Sequence, residues 1–441
     1  MNTTKRIRLV FFALGLATLA AVVSARGLDS NEKWVGTWAT AVVARGQGPQ
    51  TLPRGFGPPP RAGGNNGAAP AATGGPPRRS LFGPPLSFDD QTMRQIVHVS
   101  IGGEQIRVLL SNAFGTEPLQ IGAAHVALRD KDANIVAKTA RTLTFSGRAA
   151  STIAPGAVLL SDPVQLKVPA LADLAIDLYL PGNSQSPAMT LTTHGGAQQT
   201  NYVSTAGNHS GAAEFPVKEK LGSWYFLSSV EVAASSKAGA VVTFGDSITD
   251  GTRSTVDANH RWPDFLAKRL VAAKLPIGVL NQGIAGNQVL NDGAGVSALA
   301  RFDRDALMQT GVTHVIVLES INDIGIARSN PSPSAEDLIA GHRQLIARAH
   351  ARGLKIFGAT LTPFVGAAYA SPEGEAKRQA INEWIRTGKE YDGVVDFDKA
   401  VRDPNDPSKL RAEFNPGDNL HMNDAGYEAM ANAIDLKLFE R

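Results

Sequence analysis

The chain has 441 residues, more than one ordinary hydrophobic core holds, so its length predicts two domains. Hydrophobic residues make up 43% and charged residues 19%, which is a globular composition and excludes a wholly disordered protein. The net charge is only +3 and the basic residues are scattered, so we expect no nucleic-acid partner. The chain has no cysteine, which excludes disulfides, a thiolate nucleophile and thiolate zinc sites.

The N-terminus has the pattern of a secretory signal. Basic residues, among them Lys5 and Arg8, precede an apolar run from Leu9 to Val23, and Val23-Ser24-Ala25 offers a small-residue cleavage site. The run is short for a membrane-spanning helix, which needs about 20 apolar residues. We therefore predict a signal peptide over residues 1–25, a secreted or periplasmic location, and no stable membrane insertion after cleavage. A retained membrane anchor is the alternative.

The first half of the chain has the pattern of β structure. Short strand-like runs are separated by turn signals such as Gly102-Gly103 and Pro181-Gly182-Asn183. The predicted strands are Trp34 to Val43, Gln95 to Ser100, Gln105 to Leu110, Leu119 to Leu128, Leu171 to Leu180 and Met189 to Thr193. This spacing predicts a β-sandwich domain, jelly-roll-like, over residues 26–235.

One segment interrupts the β domain. From Gly46 to Pro85 the chain is dominated by Gly, Pro, Ala and Asn, and it lacks the large apolar residues that would offset its ordering entropy. We predict a flexible surface loop at about residues 46–85. Four arginines are spread along it, and an arm that touches a polyanionic surface is the alternative: Arg54, Arg61, Arg78 and Arg79.

From Gly239 onward, strands and helices alternate. The predicted strands are Ala240 to Phe244, Ile277 to Leu280, His314 to Leu318, Lys355 to Ala359 and Val394 to Phe397. The predicted helices are Trp262 to Ala273, Ala335 to Ala351, Glu375 to Tyr391 and Asp424 to Leu438. Repeated β-α units predict an α/β domain over residues 236–441, with a mostly parallel sheet and helices on both faces. In such a sheet, sites form beyond the carboxyl ends of the strands.

A candidate nucleophile stands where the first strand of this half should end. In Gly245-Asp246-Ser247-Ile248-Thr249, the glycine permits a tight turn and the serine hydroxyl can point into the crevice above the sheet. The alternative is that Ser247 only caps a helix.

A candidate base follows near the C-terminus, in Asp418-Asn419-Leu420-His421. A hydroxyl attacks only when a base removes its proton, and imidazole is the usual base near neutral pH. An Asp three residues before the His can bind its other nitrogen and fix the tautomer. We interpret the other eight histidines as ordinary: His98, His125, His194, His209, His260, His314, His342 and His350.

Two further positions could donate hydrogen bonds to a developing oxyanion. Gly286 follows the second strand of this half and can present its N–H, and Asn322 follows the third strand and can present its amide. Taken singly, simple turn geometry for Gly286 and a helix cap for Asn322 are the alternatives. All four segments, however, are expected at the same edge of one sheet.

Together, these four segments resemble the conserved blocks of the SGNH hydrolases, which are the GDSL esterases and lipases. The resemblance extends over residues 238 to 441. The resemblance implies a flavodoxin-like three-layer α/β/α fold and needs no metal or cofactor. By that resemblance Ser247 attacks an ester carbonyl, His421 acts as base and then acid, and Asp418 orients His421. The Ser247 N–H, the Gly286 N–H and the Asn322 amide would form the oxyanion hole, with Asp246 in a supporting role.

The chain departs from the family pattern at one position: in the third conserved segment, Glu319 to Asp323, Ser320 stands where the family usually has glycine. If that position needs a positive φ or close substrate approach, serine would lower activity or reshape the acyl pocket. The β half resembles the N-terminal domain of a subgroup of secreted bacterial SGNH proteins, in Trp34 to Ala41 and Leu110 to Gly115. That domain could bind carbohydrate, wall the cleft or only stabilise its partner.

The leading functional prediction is a secreted serine esterase that hydrolyses short-chain carboxylic esters. The substrate would be a small molecule or a polysaccharide, with O-acetyl groups on polysaccharide as the first candidate. A lipase or lysophospholipase and an acyltransferase are the enzymatic alternatives. A carbohydrate-binding protein with an inactive hydrolase domain is the alternative of another class.

Overall fold

The computed structural model describes residues 31–46, 88–182, 190–326 and 332–440. The signal peptide predicted over residues 1–25 lies outside the described residues, as does the predicted Gly/Pro-rich loop apart from Gly46. Within the described ranges, no helix is both long and apolar enough to cross a membrane.

The part of the chain before residue 236 is built from strands. They are β1 (Glu32–Ala39), β2 (Val43–Gly46), β3 (Gln91–His98), β4 (Gly103–Ser111), β5 (Leu119–Ile121), β6 (Ala123–Leu128), β7 (Arg141–Leu143), β8 (Ser151–Ile153), β9 (Val158–Leu160), β10 (Val164–Val168), β11 (Asp173–Leu180), β12 (Thr190–Gly195), β13 (Asn201–Ala206), β14 (Val217–Leu221), β15 (Ser223–Tyr225) and β16 (Leu227–Ser235). A short 3₁₀ turn, Ala137–Thr139, lies between β6 and β7.

These strands pair antiparallel in two larger and two smaller sheets. One large sheet has the order β1-β16-β4-β10, with β9 also paired to β4, and the other has the order β14-β13-β3-β11-β6-β7. The smaller sheets are β15-β12-β2 and β5-β8. The predicted antiparallel β region ahead of the α/β region is therefore confirmed.

The side-chain period of two sorts residues between the faces of the six-stranded sheet. In β11, Leu174, Ile176 and Leu178 face the large hydrophobic core, whereas Ala175 belongs to a smaller cluster. Asp177 therefore faces away from the large core, where it forms a buried, bidentate ion pair with Arg94 of β3 at 2.7 Å.

The second part of the chain alternates strands and helices. Its strands are β17 (Gly239–Gly245), β18 (Ile277–Gly283), β19 (Val312–Leu318), β20 (Lys355–Ala359) and β21 (Gly393–Val395). Its helices are α1 (Ser247–Asp250), α2 (Trp262–Ala272), α3 (Ala298–Phe302), α4 (Ile321–Gly325), α5 (Ala335–Ala351), α6 (Pro372–Thr387), α7 (Phe397–Val401) and α8 (Asp424–Asn432). A π-helical turn, Asp303–Leu307, continues α3, and two 3₁₀ turns span Ala412–Phe414 and Leu436–Phe439.

The five strands form one parallel sheet in the order β18-β17-β19-β20-β21. In chain order this is 2-1-3-4-5, the flavodoxin-like arrangement, with the switch point between β17 and β19. Helix α2 packs on α8, and α5 packs on α3 and α6, which gives one helical layer on each side. The predicted three-layer α/β/α fold is confirmed.

Several element boundaries differ from the sequence prediction. The run Leu119 to Leu128 is two strands, because β5 pairs with β8 whereas β6 pairs with β11. Helix α6 begins earlier than predicted, since Ser371 caps it by accepting from Gly374 N and Pro372 occupies its first turn. Helix α8 ends at Asn432 and is followed by a separate 3₁₀ turn.

The two parts of the chain are in direct contact. Strand β1 lies against β18, at the edge of the parallel sheet, and the Gly36 N–H donates to the Thr310 carbonyl at 2.8 Å. The Val279 N–H donates to Ser100 Oγ at 2.9 Å, and Thr310 Oγ1 donates to Glu231 Oε1 at 2.7 Å. The β part therefore joins the α/β part through buried polar contacts as well as apolar packing.

Candidate active site

The candidate residues start from strand ends that lie side by side. In the parallel sheet, Gly245 at the end of β17 is in register with Gly283 of β18 and Leu318 of β19. Ser247, Gly286 and Asn322 follow these three residues within a few positions. The register of the sheet thus brings their loops to one edge, as the sequence pattern predicts.

Ser247 begins the single-turn helix α1. The preceding Asp246 is its N-cap, and Asp246 Oδ1 accepts from the Ile248 N–H at 2.9 Å. At the other end, Gly251 ends the turn in the left-handed region with φ 94°. Gly245 leaves no room for a side chain, because a Cβ there would lie 2.6 Å from the Leu318 carbonyl oxygen. The serine is therefore set on a short, tightly packed turn.

Ser247, His421 and Asp418 lie in one hydrogen-bonded row. Ser247 Oγ is 2.9 Å from His421 Nε2, and His421 Nδ1 is 2.9 Å from Asp418 Oδ2. Asp418 Oδ1 also accepts from the N–H groups of His421 and Leu420, at 3.0 and 3.1 Å. The structure therefore brings together the predicted hydroxyl, imidazole and carboxylate with the spacing that proton transfer requires.

The carboxylate of Asp418 is held in its charged form. Partial burial acts to raise its pKa, but the hydrogen bonds from the side chain and backbone of His421 prevail, and the pKa lies well below its ordinary value. Arg253 Nε also approaches Asp418 Oδ2, at 3.1 Å, from an exposed position. The group behind His421 is consequently an anion over the whole neutral range.

Gly286 occupies the third position of a tight turn. The Asn287 N–H donates to the Ile284 carbonyl at 3.0 Å, and Gly286 has φ 80°, which is the geometry of a type II turn. Among the described residues, the N–H groups of Gly286 and Ser247 have no hydrogen-bond acceptor. Both N–H groups can therefore donate to an added oxygen.

Asn322 lies in the first turn of α4 and is 3% exposed. One hydrogen of its amide goes to the Asn287 carbonyl, with Nδ2 at 3.0 Å. An amide nitrogen carries two hydrogens, so one remains for a further acceptor. The bond to Asn287 fixes the amide against the loop that carries Gly286.

A buried ionic cluster lies behind this edge. Arg301 Nη2 donates to the Gly245 carbonyl at 2.9 Å and to Glu319 Oε1 at 3.2 Å, and Nη1 donates to the Gln282 carbonyl at 2.8 Å. Arg301 Nε donates to Asn287 Oδ1 at 2.8 Å. One guanidinium thus ties the ends of β17 and β18, the residue after β19 and the loop containing Gly286.

Three buried carboxyl groups of this region have raised pKa values. Burial, opposed by the Ile248 N–H and by His421, raises the pKa of Asp246 to about 7. Burial and the charge of Asp246 raise the pKa of Glu319 well above its ordinary value. Burial raises the pKa of Asp323 to about 6, although Asp323 accepts from the Val289 and Leu290 N–H groups. Arg301 is also paired with Asp305, so it does not fully compensate the buried carboxyl groups of Asp246 and Glu319, and these two hold protons near neutral pH.

The departure at Ser320 has a structural explanation. Ser320 has φ 109°, a backbone region that favours glycine, and it is fully buried. Its Oγ is 2.9 Å from Nε2 of His342 on α5, and His342 Nδ1 is 2.6 Å from the Tyr391 hydroxyl. A neutral imidazole has one donor and one acceptor nitrogen, and the hydroxyls serve either role. Ser320 is therefore bound in the interior, and its hydroxyl is directed to α5.

Sequence reasoning missed several residues of this region. Arg301, Glu319 and His342 carry no motif of their own, and only their position on buried faces of a strand end or helix could have marked them. From the sequence we interpret His194 as an ordinary residue of the β half, but in the structure its Nε2 lies 2.9 Å from Asp250 Oδ1 at the end of α1. Among the described residues, no group of His, Asp or Glu side chains is arranged to hold a metal ion.

Comparison with known proteins gives a family match for the second part of the chain. Residues 243–429 match the GDSL-like lipase/acylhydrolase family. A search of the curated proteins gave no match.

Several solved structures align with part of this chain at low sequence identity. A putative lipolytic protein of the G-D-S-L family from Desulfitobacterium hafniense is 19% identical and covers 44% of this chain and 96% of its own, with a TM-score of 0.35. A GDSL-like lipase from Bacteroides thetaiotaomicron is 17% identical and covers 45% and 87%, with a TM-score of 0.36. A catalytic mutant of the acetylxylan esterase Axe2 from Geobacillus stearothermophilus is 20% identical and covers 46% and 96%, with a TM-score of 0.35.

The family match coincides with the segment that carries all four sequence blocks and the hydrogen-bonded row of Ser247, His421 and Asp418. The resemblance to the GDSL esterases and lipases is thereby confirmed over residues 243–429, which match the model of the GDSL-like lipase/acylhydrolase family.

Proposed function

We propose that this protein is a secreted serine esterase that hydrolyses carboxylic esters with short acyl groups. The observation that carries the proposal is the row Ser247 Oγ, His421 Nε2 and Nδ1, and Asp418 Oδ2, with both hydrogen bonds at 2.9 Å. This row stands at the carboxyl edge of a parallel sheet, on the same edge as the amide of Asn322 and the N–H of Gly286, which has no acceptor within the described part of the chain. The match of residues 243–429 to a family of lipases and acylhydrolases supports the same chemistry.

Acylation follows from the geometry of the row. His421 Nε2 accepts the proton of Ser247 Oγ–H as the oxygen attacks the ester carbonyl, and the carbonyl π pair moves onto its oxygen. The tetrahedral intermediate collapses, the bond to the alcohol oxygen breaks, and His421 returns the proton to the departing alkoxide. The products of this half-reaction are the free alcohol and an acyl ester on Ser247.

Deacylation repeats these steps with water. His421 removes a proton from water as its oxygen attacks the acyl carbonyl, and the proton then passes to Ser247 Oγ as the carboxylic acid leaves. Because Asp418 stays ionised, it fixes the Nδ1–H tautomer of His421 and stabilises the imidazolium in both half-reactions.

The oxyanion of each tetrahedral intermediate needs donors that are already in place. The backbone N–H groups of Ser247 and Gly286 and the free hydrogen of the Asn322 amide fit this role. All three are set by the ends of adjacent strands, so little reorganisation accompanies the charge development.

The substrate is proposed to carry a small acyl group. Ser247 is 6% exposed and Asn322 is 3% exposed, and a nucleophile this enclosed favours acetyl over long chains. A secreted location, inferred from the N-terminal sequence, makes O-acetyl groups on polysaccharide the first substrate class to test.

The test is hydrolysis of p-nitrophenyl acetate, butyrate and decanoate by the purified protein and its Ser247→Ala variant. The exposed Ser236 offers a matched control as Ser236→Ala. We expect rates that fall with chain length, no measurable rate for Ser247→Ala, and an unchanged rate for Ser236→Ala. A fluorophosphonate should add to Ser247 alone, as read by peptide mass spectrometry.

Two outcomes would change the proposal. Equal rates for the wild type and Ser247→Ala, or no rate and no fluorophosphonate adduct in either, would remove Ser247 as the nucleophile. Transfer of acetyl to an added sugar in preference to water would make the enzyme an acyltransferase that uses the same acyl-enzyme.

A further inference from the structure

His194, a residue of the β part, is in contact with the turn that carries Ser247. It lies in β12 and is 3% exposed, and its Nε2 is 2.9 Å from Asp250 Oδ1. Its Nδ1 is 2.8 Å from the Ala41 carbonyl oxygen, in the segment between β1 and β2. Asp250 is the last residue of α1 and is 4% exposed. The pair therefore connects the two parts of the chain within the interior.

The partners of His194 define its protonation state. A backbone carbonyl oxygen and a carboxylate oxygen can only accept hydrogen bonds, so both ring nitrogens of His194 must carry a hydrogen. A ring with two N–H groups is an imidazolium. Burial acts to lower the pKa of His194, but the charge and hydrogen bond of Asp250 prevail and raise it. His194 and Asp250 thus form a buried ion pair.

We propose that His194 is a positioning residue for Ser247, acting through Asp250, so that the β part is required for full esterase activity. The turn has only four residues, and it is fixed at both ends. The Asp250 N–H donates to the Asp246 carbonyl at 2.9 Å, and the Gly251 N–H donates to the Ser247 carbonyl at 3.0 Å. A displacement of Asp250 is therefore transmitted directly to Ser247.

His194 does not touch the reacting atoms. It packs against Trp224, with ring centroids 5.6 Å apart, beside a small interior cavity that Asp250 lines together with residues of the β part. The volume of that cavity is about 30 Å³, which is room for one or two water molecules and not for a substrate. The influence of His194 on catalysis must therefore pass through Asp250.

Other titratable groups surround the pair. Arg261 lies just before α2, where it donates to the Ala197 carbonyl and pairs with Asp264 at 3.5 Å. The positive charge of Arg261 opposes the protonation of His194. Burial, and after it the charge of Asp250, raises the pKa of the Tyr427 phenol on α8. Two further groups lie on the β part: His98, which lines the cavity, and Arg45, whose Nη1 donates to the Tyr225 hydroxyl.

The sign of the pH effect follows from the raised pKa of His194. The stabilisation from the pair is complete below pH 6.5, the ordinary value, and is lost as the pH rises through the pKa of the folded protein. When His194 loses its proton, the ion pair with Asp250 is lost. The kcat of the wild-type enzyme should therefore decrease at alkaline pH.

The experiment compares His194→Gln, Asp250→Asn and the double variant with a matched control. Thr310→Val removes another hydrogen bond between the two parts, Thr310 Oγ1 to Glu231, without a large change in side-chain volume. We expect kcat to fall up to about 100-fold in His194→Gln with KM nearly unchanged, because a small displacement of a nucleophile has an effect of this size. The double variant should lose no more than the larger single loss, and Thr310→Val should stay within about twofold.

A second measurement does not depend on activity. Protonated imidazole quenches a neighbouring indole, so the Trp224 contribution to the tryptophan emission should increase as the pH rises through the raised pKa of His194 in the wild type, and not in His194→Gln. The inference assumes the proposed esterase function, and Ser247→Ala tests that function separately. In an active wild type, unchanged kcat in His194→Gln, or equal losses in His194→Gln and Thr310→Val, would overturn the positioning role. Absence of the pH-dependent emission step would overturn the ion pair.

Discussion

Ser320 and His342 are joined by a 2.9 Å hydrogen bond that holds a non-glycine residue at φ 109° directly before the helix carrying Asn322. A residue in this backbone region costs about 1–3 kcal/mol when it is not glycine. The hydrogen bond offsets part of that cost. Without it, the buried Nε2 of His342 would lack this partner, and an unsatisfied buried polar group also costs about 1–3 kcal/mol. The serine thus replaces the usual glycine through a compensating contact with α5.

This balance predicts an order of stability for two variants at position 320. Ser320→Ala keeps the unfavourable backbone and removes the hydrogen bond, so it should lower the free energy of unfolding by about 1–3 kcal/mol. Ser320→Gly removes the bond but also the backbone strain, so it should lie closer to the wild type. Thermal unfolding of the three proteins measures the order, and an alanine variant as stable as the glycine variant would contradict it.

Asp418→Asn should lower kcat by about 10⁴, with little change in KM. An amide in place of the carboxylate can present an N–H to His421 Nδ1, which favours the tautomer that cannot accept the serine proton. The backbone N–H groups of Leu420 and His421 can still bind an oxygen at this position, so the loop should keep its conformation. Steady-state kinetics on p-nitrophenyl acetate measures the loss.

Arg253→Ala is the control for this variant, because Arg253 also contacts Asp418 Oδ2 but has 59% of its side chain exposed. An exposed ion pair contributes about 0–1 kcal/mol, so kcat should change by less than about fivefold. A comparable loss in Asp418→Asn and Arg253→Ala would show that charge near the loop, and not the tautomer of His421, governs the rate.

Asn322→Ala should reduce kcat by about 10²–10³ through the loss of one oxyanion donor. The amide stabilises charge that exists only in the transition state, so KM should remain close to the wild-type value. The Asn287 carbonyl also loses its donor, and thermal unfolding must show that the variant is folded. A rise in KM with unchanged kcat would instead assign Asn322 to ground-state binding.

The sequence alone is sufficient for the main features of the α/β part and its site. Buried strands such as β19 contain continuous apolar runs, here Val315 to Leu318, and short motifs directly after such strands mark the residues at the carboxyl edge. Because parallel register aligns these edges, Ser247, Gly286 and Asn322 could be placed near one another without coordinates. His421 and Asp418 could be paired because their spacing of three residues is local.

The remaining contacts depend on side chains that meet from distant parts of the chain. His194 and Asp250 are separated by 56 positions, and no local pattern connects them. The same is true of Ser320 and His342, whose contact depends on how α5 packs on the sheet. The many short strands of the β part were also missed, because strands of three residues such as β7 carry too few positions for an alternating pattern.

Glu319 offers a test of the buried ionic cluster. Its Oε1 accepts from Arg301, whereas its Oε2 and the Oδ2 of Asp246 are buried and have no hydrogen-bond partner among the described residues. Glutamine has the shape of a protonated glutamate, keeps an acceptor for Arg301 and cannot ionise. Glu319→Gln should therefore leave the fold intact and change its pH dependence.

The direction of that change follows from the raised pKa values. Folding raises the pKa of Asp246 from 3.8 to about 7 and that of Glu319 well above 4.5, so the folded protein binds more protons than the unfolded chain. Its stability consequently decreases as the pH rises through this range. In Glu319→Gln one of these groups is absent, so Tm should fall less steeply between about pH 5 and pH 9 than in the wild type. Glu319→Ala is the control, since it removes the acceptor for Arg301 and should lower Tm at every pH. Parallel Tm profiles for the wild type and Glu319→Gln would show that Glu319 is ionised throughout and that Arg301 alone neutralises it.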